Sequence, residues 1–207
     1  MNQMKKNNRV FAETKPLLTE RFGQEQTQII MKYAEEKFQQ LCADNAQETK
    51  AVKAHTAGDI YPCISLYYGL QKAGIDCVQA VAFLDWSYSK RAEPKAQMMR
   101  NMAKIPGVYQ LIPVIFRWVT MHQFGEKTGF RAKFYPTDHT RVKFDMTQCL
   151  YCDVCRKYGC PELIPCFCHT DDVTNGKIHP NLCWNRTKIM GDGGDVCDFD
   201  LIVKKEK

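Results

Sequence analysis

Near residue 134 the hydrophobic periodicity of the chain changes, which commits it to two kinds of secondary structure. Before that point apolar residues recur at helical spacing. Leu18, Phe22, Ile29, Ile30, Tyr33, Phe38 and Leu41 predict a long N-terminal helix. Asp59 is expected to cap a second helix, with Ile60, Cys63, Ile64, Tyr67 and Tyr68 on its buried face and Gly74 at its end. Asp76 and Gln79 read as a capping pair for a third, lined by Val78, Val81, Ala82 and Trp86. A fourth helix is expected between about Tyr109 and Phe124, kinked by Pro113.

After residue 134 the period becomes two. Val142, Phe144 and Met146 alternate with Lys143, Asp145 and Thr147, as in a half-buried strand. Alternation returns from Cys183 to Met190 and again through Cys197, Phe199, Leu201 and Val203. The sequence GDGGD at 191–195 predicts a hairpin loop between these two runs. Two helices, about 152–158 and 161–174, fill the interval, with Pro165 interrupting the second. The chain therefore reads as α+β. A mainly helical N-terminal two thirds (1–130) is followed by a small antiparallel-sheet lobe (131–207), the two integrated into one domain.

The 207 residues are enough for such a core, and 44% of them are hydrophobic. A formal net charge of +6 is mild, and the basic residues are dispersed without an aromatic-interleaved stripe, which argues against nucleic-acid binding. The longest apolar stretch, VYQLIPVIF at 108–116, falls short of the ~20 residues that span a bilayer. The N-terminal MNQMKKNNRVFAETK has no apolar core behind its charges and does not read as a secretory signal. A cytoplasmic protein with no membrane partner is expected; oligomeric state is not legible.

Cysteine is the outlier. There are 11 cysteines, and eight of them lie between Cys149 and Cys197. In a reducing compartment such clustering points to metal binding or catalysis rather than disulfides. Cys149, Cys152, Cys155 and Cys160 form a C-x2-C-x2-C run with a fourth thiol and Pro161 behind it. Thiolates so spaced can hold a divalent metal such as zinc, ahead of an iron–sulfur cluster, whose usual spacing differs by one residue. The competing reading is that Cys152 and Cys155 pack as small apolar groups on a helix.

Two further motifs bring reactive groups together. CFCHTDD at 166–172 supplies Cys168, His169, Asp171 and Asp172: a thiol with a base, ligands for a catalytic metal, or simply a solvated helix end. NRTKIMGDGGDVCDFD at 185–200 supplies Arg186, Thr187, Gly194, Asp195, Cys197 and Asp198. Arg186 offers a planar fork for a carboxylate, and the glycines allow close backbone approach. Alternation puts Cys197 and Asp198 on opposite faces of a strand. His55, His122, His139 and His179 stand apart and read as surface or core residues, His179 being the best placed for a site. Trp118 and Trp184 read as packing residues.

The segment from Tyr158 to Leu201 resembles the L-2-amino-thiazoline-4-carboxylic acid hydrolase family. GCPEL at 159–163, FCHTDD at 167–172, NRTKIMG at 185–191 and GGDVCDF at 193–199 match in order and spacing. The C-terminal lobe is also distantly similar to 4-vinyl-reductase-type domains, which bind small molecules and often carry a cysteine-ligated zinc. Where those domains have a cysteine eight residues before the position of Cys197, this chain has Ile189.

The hydrolase resemblance implies an enzyme acting on cyclic C–N bonds. It would open a cyclic isothiourea with water to give N-carbamoyl-L-cysteine, in a route to cysteine, with a small molecule as its partner. From the chemistry, Asp171, Asp172 or Asp195 would stabilise the protonated ring, with Cys197 and Asp198 completing the catalytic group. Arg186 would hold the substrate carboxylate beside Thr187, Gly194 and His169. The attacking group would be activated water or the Cys168 thiolate. The alternative is a non-catalytic small-molecule-binding module with a cysteine-ligated metal.

Overall fold

A computed structural model describes residues 8–204, so the first residues of the N-terminal stretch read above lie outside the described residues. The chain is α+β, as its periodicity predicts, and divides into two compact units. One comprises residues up to Tyr88 together with Val154–Cys166. The other comprises Ser89–Asp153 and Phe167 onward.

The first unit is helical. Helix α1 (Arg9–Asp44) starts at Asn8, whose side chain accepts from the Val10 amide, and kinks at Gly23, where φ is +79°. Val10, Leu18, Ile30, Phe38 and Leu41 are buried, whereas Ile29 and Tyr33 face outward. Asp59 does not cap a helix. Thr49 caps α2 (Lys50–His55), which runs through a π-helical turn at Thr56–Ile60 into α3 (Tyr61–Lys72). α3 packs on α1 so closely that a Cβ at Gly69 would stand 2.6 Å from the Ile30 carbonyl oxygen. Gly74, with φ +84°, ends it as expected.

Asp76 accepts from the Gln79 amide at 3.0 Å and so caps α4 (Cys77–Ala103). Its buried face is Ala80, Phe83, Leu84, Ser87 and Tyr88, not the expected line through Val78 and Trp86, both of which are exposed. Tyr67 donates to Glu162 and Tyr68 to the Tyr158 carbonyl, tying the 154–166 segment into this unit.

The second unit is built on a four-stranded antiparallel sheet in the order β1-β2-β4-β3. The strands are β1 (Arg131–Phe134), β2 (Arg141–Gln148), β3 (Leu182–Asn185) and β4 (Cys197–Val203). β1 was not legible as a strand in the sequence. β2 has the expected alternation, with Val142, Phe144 and Met146 buried. Phe144 lies opposite Phe199 in the ladder and their rings stack at 4.8 Å. α5 (Val108–Gln123) lays Ile112 and Phe116 on this core. α6 (Leu150–Lys157) and α7 (Ile164–Asn175) occupy the interval before β3, and Pro165 sits harmlessly in the first turn of α7.

β3 is shorter than the alternation of 183–190 predicts. Beyond Asn185 the Thr187 and Lys188 amides donate to the Asp198 carboxylate at 2.7 and 2.6 Å rather than extending the ladder. The glycine-rich segment is a turn folded onto one carbonyl: Asp192 and Gly194 amides both donate to Ile189. A Cβ at Gly194 would meet that oxygen at 2.8 Å, so glycine is required there for packing.

Candidate active site

α7 and the start of β4 bring two thiols together. Cys168 is half-buried on α7 and Cys197 is buried at the first position of β4. Their side chains are hydrogen-bonded to each other. The Met190 amide donates to Cys197 Sγ at 3.2 Å. The Cys168 donor, the Met190 amide and the Arg186 cation all favour a thiolate at Cys197, and its pKa is lowered despite burial. The Cys168 thiol is raised for the same reason: ionising it would set a second negative charge beside the first, in a partly desolvated place. Of the pair, Cys197 is the more acidic thiol and Cys168 the less acidic one.

Arg186 is the hub of the site, its side chain 2% exposed. It donates to Asp171 Oδ2 at 3.2 Å, to Asp172 Oδ2 at 2.5 Å and to the Cys168 carbonyl at 2.9 Å. Its plane lies over the Phe199 ring at 5.5 Å. Nε is buried with no hydrogen-bond partner among the described residues. A guanidinium committed in this way joins α7 to the segment after β3 and is closed to solvent. It holds two carboxylates of the protein where a substrate carboxylate was expected.

Asp171 keeps 45% of its side-chain surface, yet the protein crowded around it raises its carboxyl to about 6. Arg186 and Lys95 pull this value down and Asp172 pushes it up. Asp172 accepts from Trp184 Nε1 at 2.8 Å. Sequence reasoning took Trp184 for packing and did not find Lys95. The indole hydrogen bond depends on the length of β3, and Lys95 stands far away in the chain, so no local pattern announced either.

Other expected residues have partners of their own. Asp198 points to the opposite side of β4 from Cys197, as alternation requires, and accepts from the Thr187 hydroxyl as well as the two amides. That set of donors holds its carboxyl below the usual range against partial desolvation. Thr187 and Asp198 thus shape the loop. Asp195 is exposed and pairs with Lys188 at 3.1 Å. His169 is half-buried on α7.

Cys149 and Cys152 are hydrogen-bonded to each other, which with burial raises Cys149. Cys160 donates to the Cys155 carbonyl at 3.5 Å. Among the described residues no three His, Cys, Asp or Glu side chains are gathered so as to hold a metal ion. Of the histidines, His179 stacks on Tyr109 at 4.2 Å and His122 on Trp118 at 4.4 Å. Trp118 is 59% exposed and is not the packing residue expected.

An α+β chain with a thiol pair, a buried arginine and a carboxylate raised toward neutrality defines a protein equipped for thiol and acid–base chemistry. The family model for L-2-amino-thiazoline-4-carboxylic acid hydrolase matches residues 54–201, most of the chain, and the chain belongs to that family. No curated protein matches it. Among the described residues no helix is long and apolar enough to cross a membrane.

Proposed function

We propose that this protein is a thiol-dependent hydrolase that opens a cyclic isothiourea such as L-2-amino-thiazoline-4-carboxylate. The observation that carries the reading is the Cys168–Cys197 pair set beside Asp171. The carbon between the two nitrogens and the sulfur keeps both nitrogens in an N-carbamoyl product. The bond that breaks is therefore carbon–sulfur, and the C–N bonds survive.

Cys168 is the more accessible sulfur and acts as nucleophile; the Cys197 thiolate takes its proton as the new S–C bond forms. The ring C–S bond then breaks, and the departing sulfur takes a proton from Asp171. This leaves an S-amidino group on Cys168, still carrying the positive charge of the protonated substrate. Water attacks that carbon and gives a proton to the Asp171 carboxylate. Collapse expels Cys168, which recovers its proton from Cys197, and the urea product releases one proton to solvent. A carboxyl near 6 is poised for both transfers. Arg186 positions Asp171 and Asp172 and stabilises the Cys197 thiolate. Lys95, exposed on α4 and close enough to bear on Asp171, meets the substrate carboxylate.

The test is turnover of L-2-amino-thiazoline-4-carboxylate by the reduced protein, with N-carbamoyl-cysteine followed by mass spectrometry. Turnover that is abolished in Cys168→Ser and unaffected by a chelator is expected. Full turnover by Cys168→Ser would overturn the covalent route. No turnover by the folded wild type would overturn the substrate.

A further inference from the structure

We propose that the outer face of α5 is a self-association surface, on which a second copy of this chain docks by the same helix. Leu111, Val114, Ile115, Trp118 and Met121 are 47–59% exposed, while Ile112, Pro113 and Thr120 on the other side of α5 are buried. Single exposed apolar residues are ordinary, but a continuous stripe is not. Leu111, Val114, Trp118 and Met121 follow the 3-4-3 spacing of an a/d seam, which is what one helix presents to another. Met98 and Met102 on α4, and Ile105 just beyond its end, are also 51–56% exposed.

Three arguments make the occupant a second copy. The first is symmetry. A two-fold axis near position 116 would set Leu111 against Met121 and Val114 against Trp118, so the stripe is complementary to itself.

The second is charge. Arg117 is the one Lys, Arg, Asp or Glu in α5, and it is turned onto the Phe134 ring at 4.7 Å, so the two α5 helices meet without like charges opposed. A helix made to lie on a membrane surface would instead flank its apolar face with Lys and Arg.

The third is area. At the exposures above, the five apolar side chains of α5 present on the order of 600 Å² per copy, which reaches the lower edge of what each partner contributes to a specific interface.

Sedimentation equilibrium of the full chain under reductant, over roughly 1–100 μM, tests this together with the Leu111→Glu/Trp118→Glu double variant. Both positions are exposed, so the variant should keep the wild-type circular dichroism. The expected result is twice the 23.9 kDa chain mass for the wild type and self-association weakened at least roughly 100-fold in the variant. A wild type that stays monomeric throughout would overturn the proposal. So would a double variant that remains dimeric, which would place the interface elsewhere. A monomeric wild type that floats with anionic vesicles would assign the stripe to lipid.

Discussion

Cys168 on α7 and Cys197 on β4, far apart in the chain, are hydrogen-bonded thiols, and the bond lowers one pKa while raising the other. Removing the donor should therefore raise the acceptor. In Cys168→Ala the donor is gone, so the midpoint for alkylation of Cys197 should move upward toward that of an ordinary thiol. Mass-spectrometric alkylation with iodoacetamide against pH reads this directly. An unmoved midpoint would mean that Met190 and Arg186 alone depress Cys197. In turnover assays, Cys197→Ala should lower kcat/KM by about 10²–10⁴, the usual worth of a positioned proton acceptor.

Asp171 gives a stability that depends on pH. Its folded pKa, about 6, lies above the ordinary carboxyl value of 3.8, so the folded state binds the proton more tightly than the unfolded chain. The contribution is fully present below about 4 and is lost as pH rises through 6. Asp171→Asn cannot lose it. The melting temperature of Asp171→Asn relative to wild type should therefore increase between pH 4.5 and 7.5, as measured by parallel thermal scans. A constant difference would show that the carboxyl titrates normally.

Arg186 holds the site together from a position 2% exposed. Its loss removes the guanidinium donors of the Cys168 carbonyl, Asp171 and Asp172, leaving Asp172 with the Trp184 indole alone among the described residues. Both carboxylates keep 45% of their surface, so water compensates part of the loss. Arg186→Ala is expected to cost about 1–3 kcal/mol in urea unfolding and to lower activity together with it. Arg186→Lys should recover little, because one ammonium cannot match the fork that reaches Asp171, Asp172 and Cys168 at once.

The sheet core depends on Phe144, which is 1% exposed and touches the rings of Phe116, Phe134 and Phe199. Phe144→Ala should destabilise by about 3–5 kcal/mol. In the helical unit Gly69→Ala places a methyl against the Ile30 carbonyl at 2.6 Å, backbone that cannot swing aside. A loss of roughly 1–3 kcal/mol is expected from forcing α1 and α3 apart. Chemical denaturation of each variant checks both figures.

The class of fold and most of the elements are written locally, in hydrophobic periodicity and capping. The change of period near residue 134, the alternation of β2, the cap at Asp76 and the end at Gly74 are each written within a few residues. The sequence also named Cys168, Asp171, Asp172, Arg186 and Cys197 as reactive groups in two short motifs. Which of them meet depends on the folded chain. β1 and the early end of β3 were set by partners outside their own runs: β2 for the first, and the Asp198 carboxylate for the last. The same holds for the site. Cys168 meets Cys197 because α7 and β4 are brought together by the fold, and Arg186 faces inward because the strand before it ends where it does. Contacts between residues tens of positions apart depend on register and packing, and no local spacing carries that information.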